Sequence, residues 1–335
     1  MRLLQIAGPG GHRAGQRRVG IVREPGIFLL EGVATVYQLA QEALSAGATV
    51  ADTAERHASA ESLDYDAVYT GRSPWRILPA MDHPGDPAHC LISGTGLTHM
   101  ASAQNRQAMH AAGDAPTDSM RMYRWGVEGG RPAPGAIGVP PEWFHKGCGA
   151  MLRAHGEALV IPPHAEDGGE EPEIAGIYLI DESGMPRRIG MAAGNEFSDH
   201  RFEKKNYLNL AASKLMTCAI GPELVTDPDF ASVAGEVAIE RGGETVWSKA
   251  IASGDARMSH SLANLEHHHF KHAGHRLPGD VHVHFFGADA FSFGEGLRLE
   301  DGDVMQVRFT GFGRPLRNPL RIDRSPQKLF AAEPL

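Results

Sequence analysis

Glu171-Pro172-Glu173-Ile174-Ala175-Gly176-Ile177-Tyr178-Leu179-Ile180, followed later by Gly194-Asn195-Glu196-Phe197-Ser198, is the stretch on which the reading of this chain turns. An apolar run of strand length, 174–180, is entered by two carboxylates two residues apart. On a strand, side chains alternate between faces, so Glu171 and Glu173 point the same way. A second apolar stretch, 189–193, ends near Glu196 and can bring a third carboxylate to the set. Three carboxylates with no cysteine among them suit a hard divalent cation, Mg²⁺ or Mn²⁺, and not zinc. The function class this points to is a metal-assisted enzyme with Glu171, Glu173 and Glu196 as ligands.

The rest of the composition bounds that reading. The chain has 335 residues, 42 % of them hydrophobic and 22 % charged, enough apolar surface for one large domain or two. A formal charge of −9 speaks against a nucleic-acid binder, which carries a basic face. Cys90, Cys148 and Cys218 form no C-x-x-C pair, which fits a reducing compartment, and no apolar run approaches the ~20 residues of a membrane span. Arg17-Arg18 is not followed by the apolar segment of a signal peptide. The expectation is a cytoplasmic protein with a small-molecule substrate. Forty glycines and 22 prolines favour short strands and tight turns, hence a β-rich α/β fold.

Along the chain, 1–84 reads as a small N-terminal α/β domain. Strands are expected at 2–6, 18–22 and 26–30, and an amphipathic helix over 31–46, stopped by Gly47. Gly8-Pro9-Gly10-Gly11 lacks the spacing of a phosphate loop and reads as a turn. The proline-rich stretches 74–79 and 84–87 read as a linker or domain entry. A second domain, 85–335, begins with a strand at 90–93 and a helix over 97–112. A proline- and glycine-rich loop follows at 129–141, of a length common in active-site walls. Strands are then expected at 158–161, 174–180, 189–193, 236–239, 281–286 and 304–309, with a helix at 259–269.

Several ordered segments together resemble the fumarylacetoacetate hydrolase superfamily. Pro141-Glu142-Trp143-Phe144-His145-Lys146 resembles its P-x-x-F-x-K, Glu171-Pro172-Glu173 its E-x-E, and Asn195-Glu196-Phe197-Ser198 its N-D-x-S. Ser213-Lys214 with Gly221-Pro222 is similar to its later Lys and G-P pair. Leu299-Glu300-Asp301-Gly302-Asp303, Gly311-Phe312-Gly313 and Leu316-Arg317-Asn318-Pro319 resemble its closing motifs. The match runs over about residues 76–322. Gly94-Thr95-Gly96-Leu97-Thr98-His99 and Asn195–Tyr207 are most similar to its sugar-acid dehydratase branch, which acts on 2-keto-3-deoxypentonates. The resemblance implies a β-roll catalytic domain of mixed β structure, usually a homodimer, with one Mg²⁺ chelating a 2-oxo acid. It implies His99 and Lys214 as catalytic residues and Lys146 and Gly287 as substrate-side contacts; Arg106, on the helix after His99, is a further candidate contact by its position.

The chain also departs from the pattern. Glu196 stands where the family has Asp, His200 where it has Arg, and Gly287-Ala288 where it has G-T. The H-x-x-E dyad of the hydrolase branch reads His99-Met100-Ala101-Ser102, without the Glu. The expected reaction is therefore dehydration of 2-keto-3-deoxy sugar acids. The alternatives are C–C hydrolysis of acylpyruvates or 2,4-diketo acids on the same metal site, and a non-enzymatic 2-oxo-acid-binding protein. Arg106 and His110 share a helix face, which is either a substrate contact or solvated. His267-His268-His269 with His272 and His275 lack H-E-x-x-H spacing and read as polar surface. His282 and His284 share a strand face and stay unassigned. No G-x-S-x-G elbow is present.

Overall fold

The strand Pro172–Ile180, buried at all nine of its residues, is the spine of the molecule. An unbroken apolar run of this kind fits a strand covered on both faces. It pairs antiparallel with Pro186–Asn195, which sets Glu173 opposite Gly194, and on its other side antiparallel with Val281–Phe285. This is a computed structural model, and it describes residues 1–9, 17–110 and 117–335, the side chains of 105 and 108–110 excepted. Gly10, Gly11 and the side chain of His110 lie outside the described residues.

Two sheets carry the fold, which is a mixed α/β architecture with predominantly mixed β structure. In the 13-stranded sheet the main order runs from Ala58–Asp64 through Gly26–Leu30, Arg17–Arg23, Arg2–Ala7 and Leu224–Val225 to Pro186–Asn195. It continues through Pro172–Ile180, Val281–Phe285 and Cys90–Gly96 to Glu142–Cys148. The five-stranded sheet is built from Glu244–Ser253, Val233–Arg241, Val304–Phe309, Leu316–Ile322 and Leu159–Ile161. Ala175, Ile177 and Leu179 join a core with the helix Val36–Ala46, while Ile174 joins a second core with Val237, Ile239, Met305, Val307 and Phe309. The central hairpin is thus sandwiched between two cores.

The expected elements are largely present, with informative differences. The first helix starts at Val36, not at Glu31, because the Thr35 side chain caps it by accepting from Gln38 N–H; Gly47, at φ 61°, closes it as expected. The segment read as a linker contributes Arg76–Ile77 to the large sheet, paired with Arg2–Ala7. Ala58–Asp64 and Glu142–Cys148 are strands, and Val50–His57 and Asp118–Gly129 are helices, none of which the sequence pattern announced. No helix among the described residues is long and apolar enough to cross a membrane.

Candidate metal centre and active site

Backbone pairing assembles the three carboxylates. Glu196 N–H donates to the Glu171 carbonyl at 2.9 Å, and Asn195 Oδ1 accepts from Glu171 N–H at 3.2 Å, so the two chain segments flanking the hairpin stay in register beyond its strands. Glu171, Glu173 and Glu196 are all buried, and one oxygen of each lies within 4.8 Å of the others. Glu173 Oε2 also accepts from Gly287 N–H at 2.6 Å. Ser198 Oγ donates to Glu196 at 3.1 Å.

Cations surround this triad. Lys214 Nζ donates to Glu171 Oε1 at 2.5 Å and to Glu196, and sits 4.6 Å from the Phe144 ring centre. Lys146 Nζ is fully committed: it meets Glu196 Oε1 at 2.5 Å and donates to the carbonyls of Phe197 at 2.7 Å and Lys214 at 2.9 Å. His200 Nε2 lies 3.0 Å from Glu171 Oε1, with its ring stacked on Phe291. Arg106 is buried, not solvated. Its guanidinium donates to both Glu142 oxygens at 3.1 Å and to Glu203 at 2.8 Å, and Tyr207 O–H donates to Glu142 as well.

The electrostatics follow from this packing. Burial pushes the Glu173 carboxyl well above its usual range, and the charges of Glu196 and Glu171 push it further. Burial would raise Glu171 too, but Lys214 and His200 overcome it and hold that carboxyl well below the usual range. Burial works against the Lys214 ammonium, yet Glu171 and Glu196 raise its pKa, so Lys214 is a permanent cation here. Lys146, Lys214 and His200 pair with Glu196 and Glu171, while Glu173, crowded against both, has no cationic partner among the described residues. A divalent cation held by the triad would offset the repulsion among its carboxylates, and the all-oxygen donor set matches Mg²⁺ or Mn²⁺. The residues fit the metal.

His99 is buried at 2 % exposure beside this centre, with Nδ1 2.9 Å from Thr98 Oγ1 and Nε2 without a hydrogen-bond partner among the described residues. Burial lowers its pKa to about 4, against the opposing charge of Asp289. Gly287 has φ +98°, and a Cβ there would fall 2.0 Å from Thr98 Oγ1, so only glycine fits. At Gly96 the limit is space alone: a Cβ there would fall 1.9 Å from Glu142 Oε1 and push on that carboxylate. The proline-rich loop is pinned to the helix Leu262–Phe270: Asn264 accepts from Gly138 N–H at 3.1 Å and donates to the Val139 carbonyl at 2.9 Å.

Sequence reasoning missed Glu142, Glu203 and Thr98. Glu142 carried a signal: with Phe144 and Lys146 it alternates inward along one strand, and the burial follows that alternation. Glu203 carried none, since it sits in the charge-dense run 200–205, which reads as surface. The histidine run needs correction. The helix ends at Phe270, and His272 lies beyond it, exposed. His268 and His269 are buried, and His269 joins His282 and His284 in an interior cluster, because the helix packs over that face of the sheet.

No protein-family model matches the sequence, and none of the curated proteins matches it. Among solved structures, 2-keto-3-deoxy-D-arabinonate dehydratase in its apo form superposes with a TM-score of 0.70 at 19 % identity, over 97 % of this chain and 100 % of that one. The same dehydratase complexed with magnesium and 2,5-dioxopentanoate gives 0.69 at the same identity and coverage. The 5-carboxymethyl-2-hydroxymuconate delta-isomerase of Mycobacterium smegmatis gives 0.57 at 17 % identity, over 97 % and 100 % of the two chains. At these identities the likeness is one of fold: the chain has the fold of the fumarylacetoacetate hydrolase superfamily, shared by a sugar-acid dehydratase and by isomerases.

Proposed function

We propose that this chain is a Mg²⁺- or Mn²⁺-dependent hydro-lyase that dehydrates 2-keto-3-deoxy sugar acids, converting a 2-keto-3-deoxypentonate to 2-oxoglutarate semialdehyde. The observation that carries the reading is the buried triad Glu171, Glu173 and Glu196 with Lys214 against it, in a fold also taken by a dehydratase solved with magnesium and 2,5-dioxopentanoate. When bound, the cation supplies Lewis acidity at the carboxylate and keto oxygens of a 2-oxo acid, which acidifies the protons on C3.

The chain's own residues then divide the work. His99 is neutral at physiological pH, and its unpartnered Nε2 takes the C3 proton. The fixed ammonium of Lys214 opposes the negative charge that develops at the keto oxygen. Protonated His99 returns its proton to the C4 hydroxyl as that C–O bond breaks, and water leaves. Loss of a C5 proton and gain of one at C3 give an enol that tautomerises to the aldehyde. Lys146 fixes Glu196 and the turn after it, and Arg106, its charge already met by Glu142 and Glu203, contacts a substrate hydroxyl as a hydrogen-bond donor. Gly287 provides the close backbone approach. The division at residues 84 and 85, a cytoplasmic location and a homodimeric assembly belong to the same proposal.

Dehydration needs no activated water, and the environment of His99 supports it over hydrolysis. Residue 102 is Ser, and the neighbour of His99 Nδ1 is a neutral hydroxyl, not a carboxylate that would stabilise an imidazolium. The test is product identity. With Mg²⁺ and a panel of 2-keto-3-deoxypentonates and acylpyruvates, a semialdehyde that an aldehyde dehydrogenase oxidises is expected. Pyruvate plus a second acid from a diketo substrate would overturn the reading in favour of a hydrolase.

A further inference from the structure

We propose that Thr98 fixes the tautomer of His99 and ties it, through the single peptide unit between Phe286 and Gly287, to the carboxylate of Glu173. Thr98 Oγ1 lies 2.7 Å from the Phe286 carbonyl oxygen and 2.9 Å from His99 Nδ1. A carbonyl oxygen only accepts, and a threonine hydroxyl has one proton to give. That proton goes to Phe286. The bond between hydroxyl and ring must then be donated by the ring, so His99 carries its proton on Nδ1. Nε2 is left as a bare lone pair, buried and without a partner among the described residues.

The same peptide unit acts at its other end. Gly287 N–H donates to Glu173 Oε2 at 2.6 Å. Every bond in the series points one way, from ring N–H to hydroxyl to carbonyl, and from amide N–H to carboxylate. Each bond polarises the next, and the carboxylate at the end strengthens the acceptor at the start. Glycine is required at the joint because any Cβ at 287 would displace the Thr98 hydroxyl. In this arrangement Thr98 is a positioning residue for His99. It does for orientation what a carboxylate at position 102 would do, but without stabilising the protonated ring. His99 can therefore take a proton and must pass it on, which suits a proton moved from C3 to a departing hydroxyl.

The inference rests on His99 as the proton-transfer group for its catalytic meaning, but its structural content is independent of substrate. The experiment is long-range ¹H–¹⁵N correlation of the imidazole rings in the metal-free full chain near neutral pH, with His99 assigned by the signals lost in His99→Gln. The Nδ1-protonated tautomer is expected in the wild type and in Thr98→Ser. In Thr98→Val the ring should lose that preference and populate the Nε2-protonated form. With Mg²⁺ and substrate, Thr98→Val should lower kcat by about tenfold or more with little change in KM, and Thr98→Ser should restore it. An Nε2-protonated ring in the wild type, or an unchanged tautomer in Thr98→Val, would overturn the proposal. If the tautomer behaves as stated while no sugar acid is dehydrated, the relay stands and the proposed reaction fails.

Discussion

Two buried polar clusters lie on opposite faces of the same strands, and they solve the cost of burial in opposite ways. Glu173 lies on the face of Ala175, which is paired with Phe285; His282 and His284, paired with Tyr178 and Gly176, lie on the other. In the acidic centre Lys146, Lys214 and His200 pair with Glu196 and Glu171, and Glu173 is left crowded against both without a cation of its own among the described residues. The histidine cluster holds no net charge. Trp143 Nε1–H donates to His269 Nδ1 at 3.2 Å, which leaves His269 Nε2–H to donate to His282 Nδ1 at 2.9 Å. Ser93 Oγ meets His284 Nδ1 at 2.8 Å. A neutral imidazole is donor and acceptor at once, so such groups can pair with one another without charge, although Nε2 of His282 and of His284 finds no partner among the described residues; carboxylates are acceptors only and must recruit cations. Burial of a titratable cluster is therefore not by itself a sign of a metal site. The sign is a set of carboxylate oxygens crowded together, one of them without a cationic partner among the described residues.

The largest expected effect breaks the acidic side. Chelation of the cation, or Glu173→Ala with Mg²⁺ restored, should remove several kcal/mol of transition-state stabilisation, about a thousandfold in kcat at ~1.4 kcal/mol per tenfold. The companion measurement is thermal unfolding in EDTA. There Glu173→Gln, which keeps an acceptor for Gly287 N–H but removes a repelled charge, should raise the midpoint. A lowered midpoint would show that the triad carries no uncompensated repulsion.

Lys214 gives the next effect. Removing its ammonium leaves Glu171 and Glu196 less paired in the interior, which costs about 3–5 kcal/mol for a broken buried ion pair. Lys214→Met should thus lower stability strongly in EDTA and much less with saturating Mg²⁺, because the cation then opposes the same charges. Turnover should fall more than about tenfold. Equal destabilisation with and without Mg²⁺ would separate Lys214 from the metal-binding carboxylates.

How much of this was legible in the sequence differs between the two clusters for the same physical reason. The strand over 174–180 and the triad were readable because strand alternation and carboxylate chemistry are local. Val304–Phe309 was readable as an apolar stretch of strand length. Ala58–Asp64 was not, since an edge strand need bury little and this one is mostly exposed. The pairing of Arg106 with Glu142 and Glu203 joins three distant segments, and nothing local in any of them announces burial. The histidine run was misread because composition cannot say which helix face meets a sheet. His267 to His272 span inside and outside within six residues.

The third effect probes the neutral cluster by pH. Burial lowers His282 and His284 to about 3, and His269 falls well below its usual range through burial and its histidine neighbours. Below the ordinary value near 6.5 the unfolded chain takes up protons that the folded chain refuses. Stability is then lost as pH falls from about 6.5 toward 3, by up to ~1.4 kcal/mol per pH unit for each histidine. Replacing His282 and His284 together by Leu should flatten that slope when unfolding is followed in EDTA between pH 6.5 and 4.5. An unchanged slope would mean that these rings protonate in the folded state.

The smallest expected effect sharpens the contrast inside one run of sequence. His272 lies two residues past the end of the helix, exposed, and its recorded ring contact is an edge-on one with His275 at 5.4 Å between centroids. His272→Ala should change stability by no more than about 0.5 kcal/mol, the range of ordinary surface substitutions, at every pH between 4.5 and 7. His269→Ala, three positions earlier, removes the acceptor for Trp143 and the donor to His282 and leaves a cavity, so it should cost about 2–5 kcal/mol. Paired urea titrations of the two variants decide the matter. Similar losses would place both histidines at the surface and dissolve the cluster; a wide gap means that helix packing, and not the density of imidazoles in the sequence, decides which of them are interior.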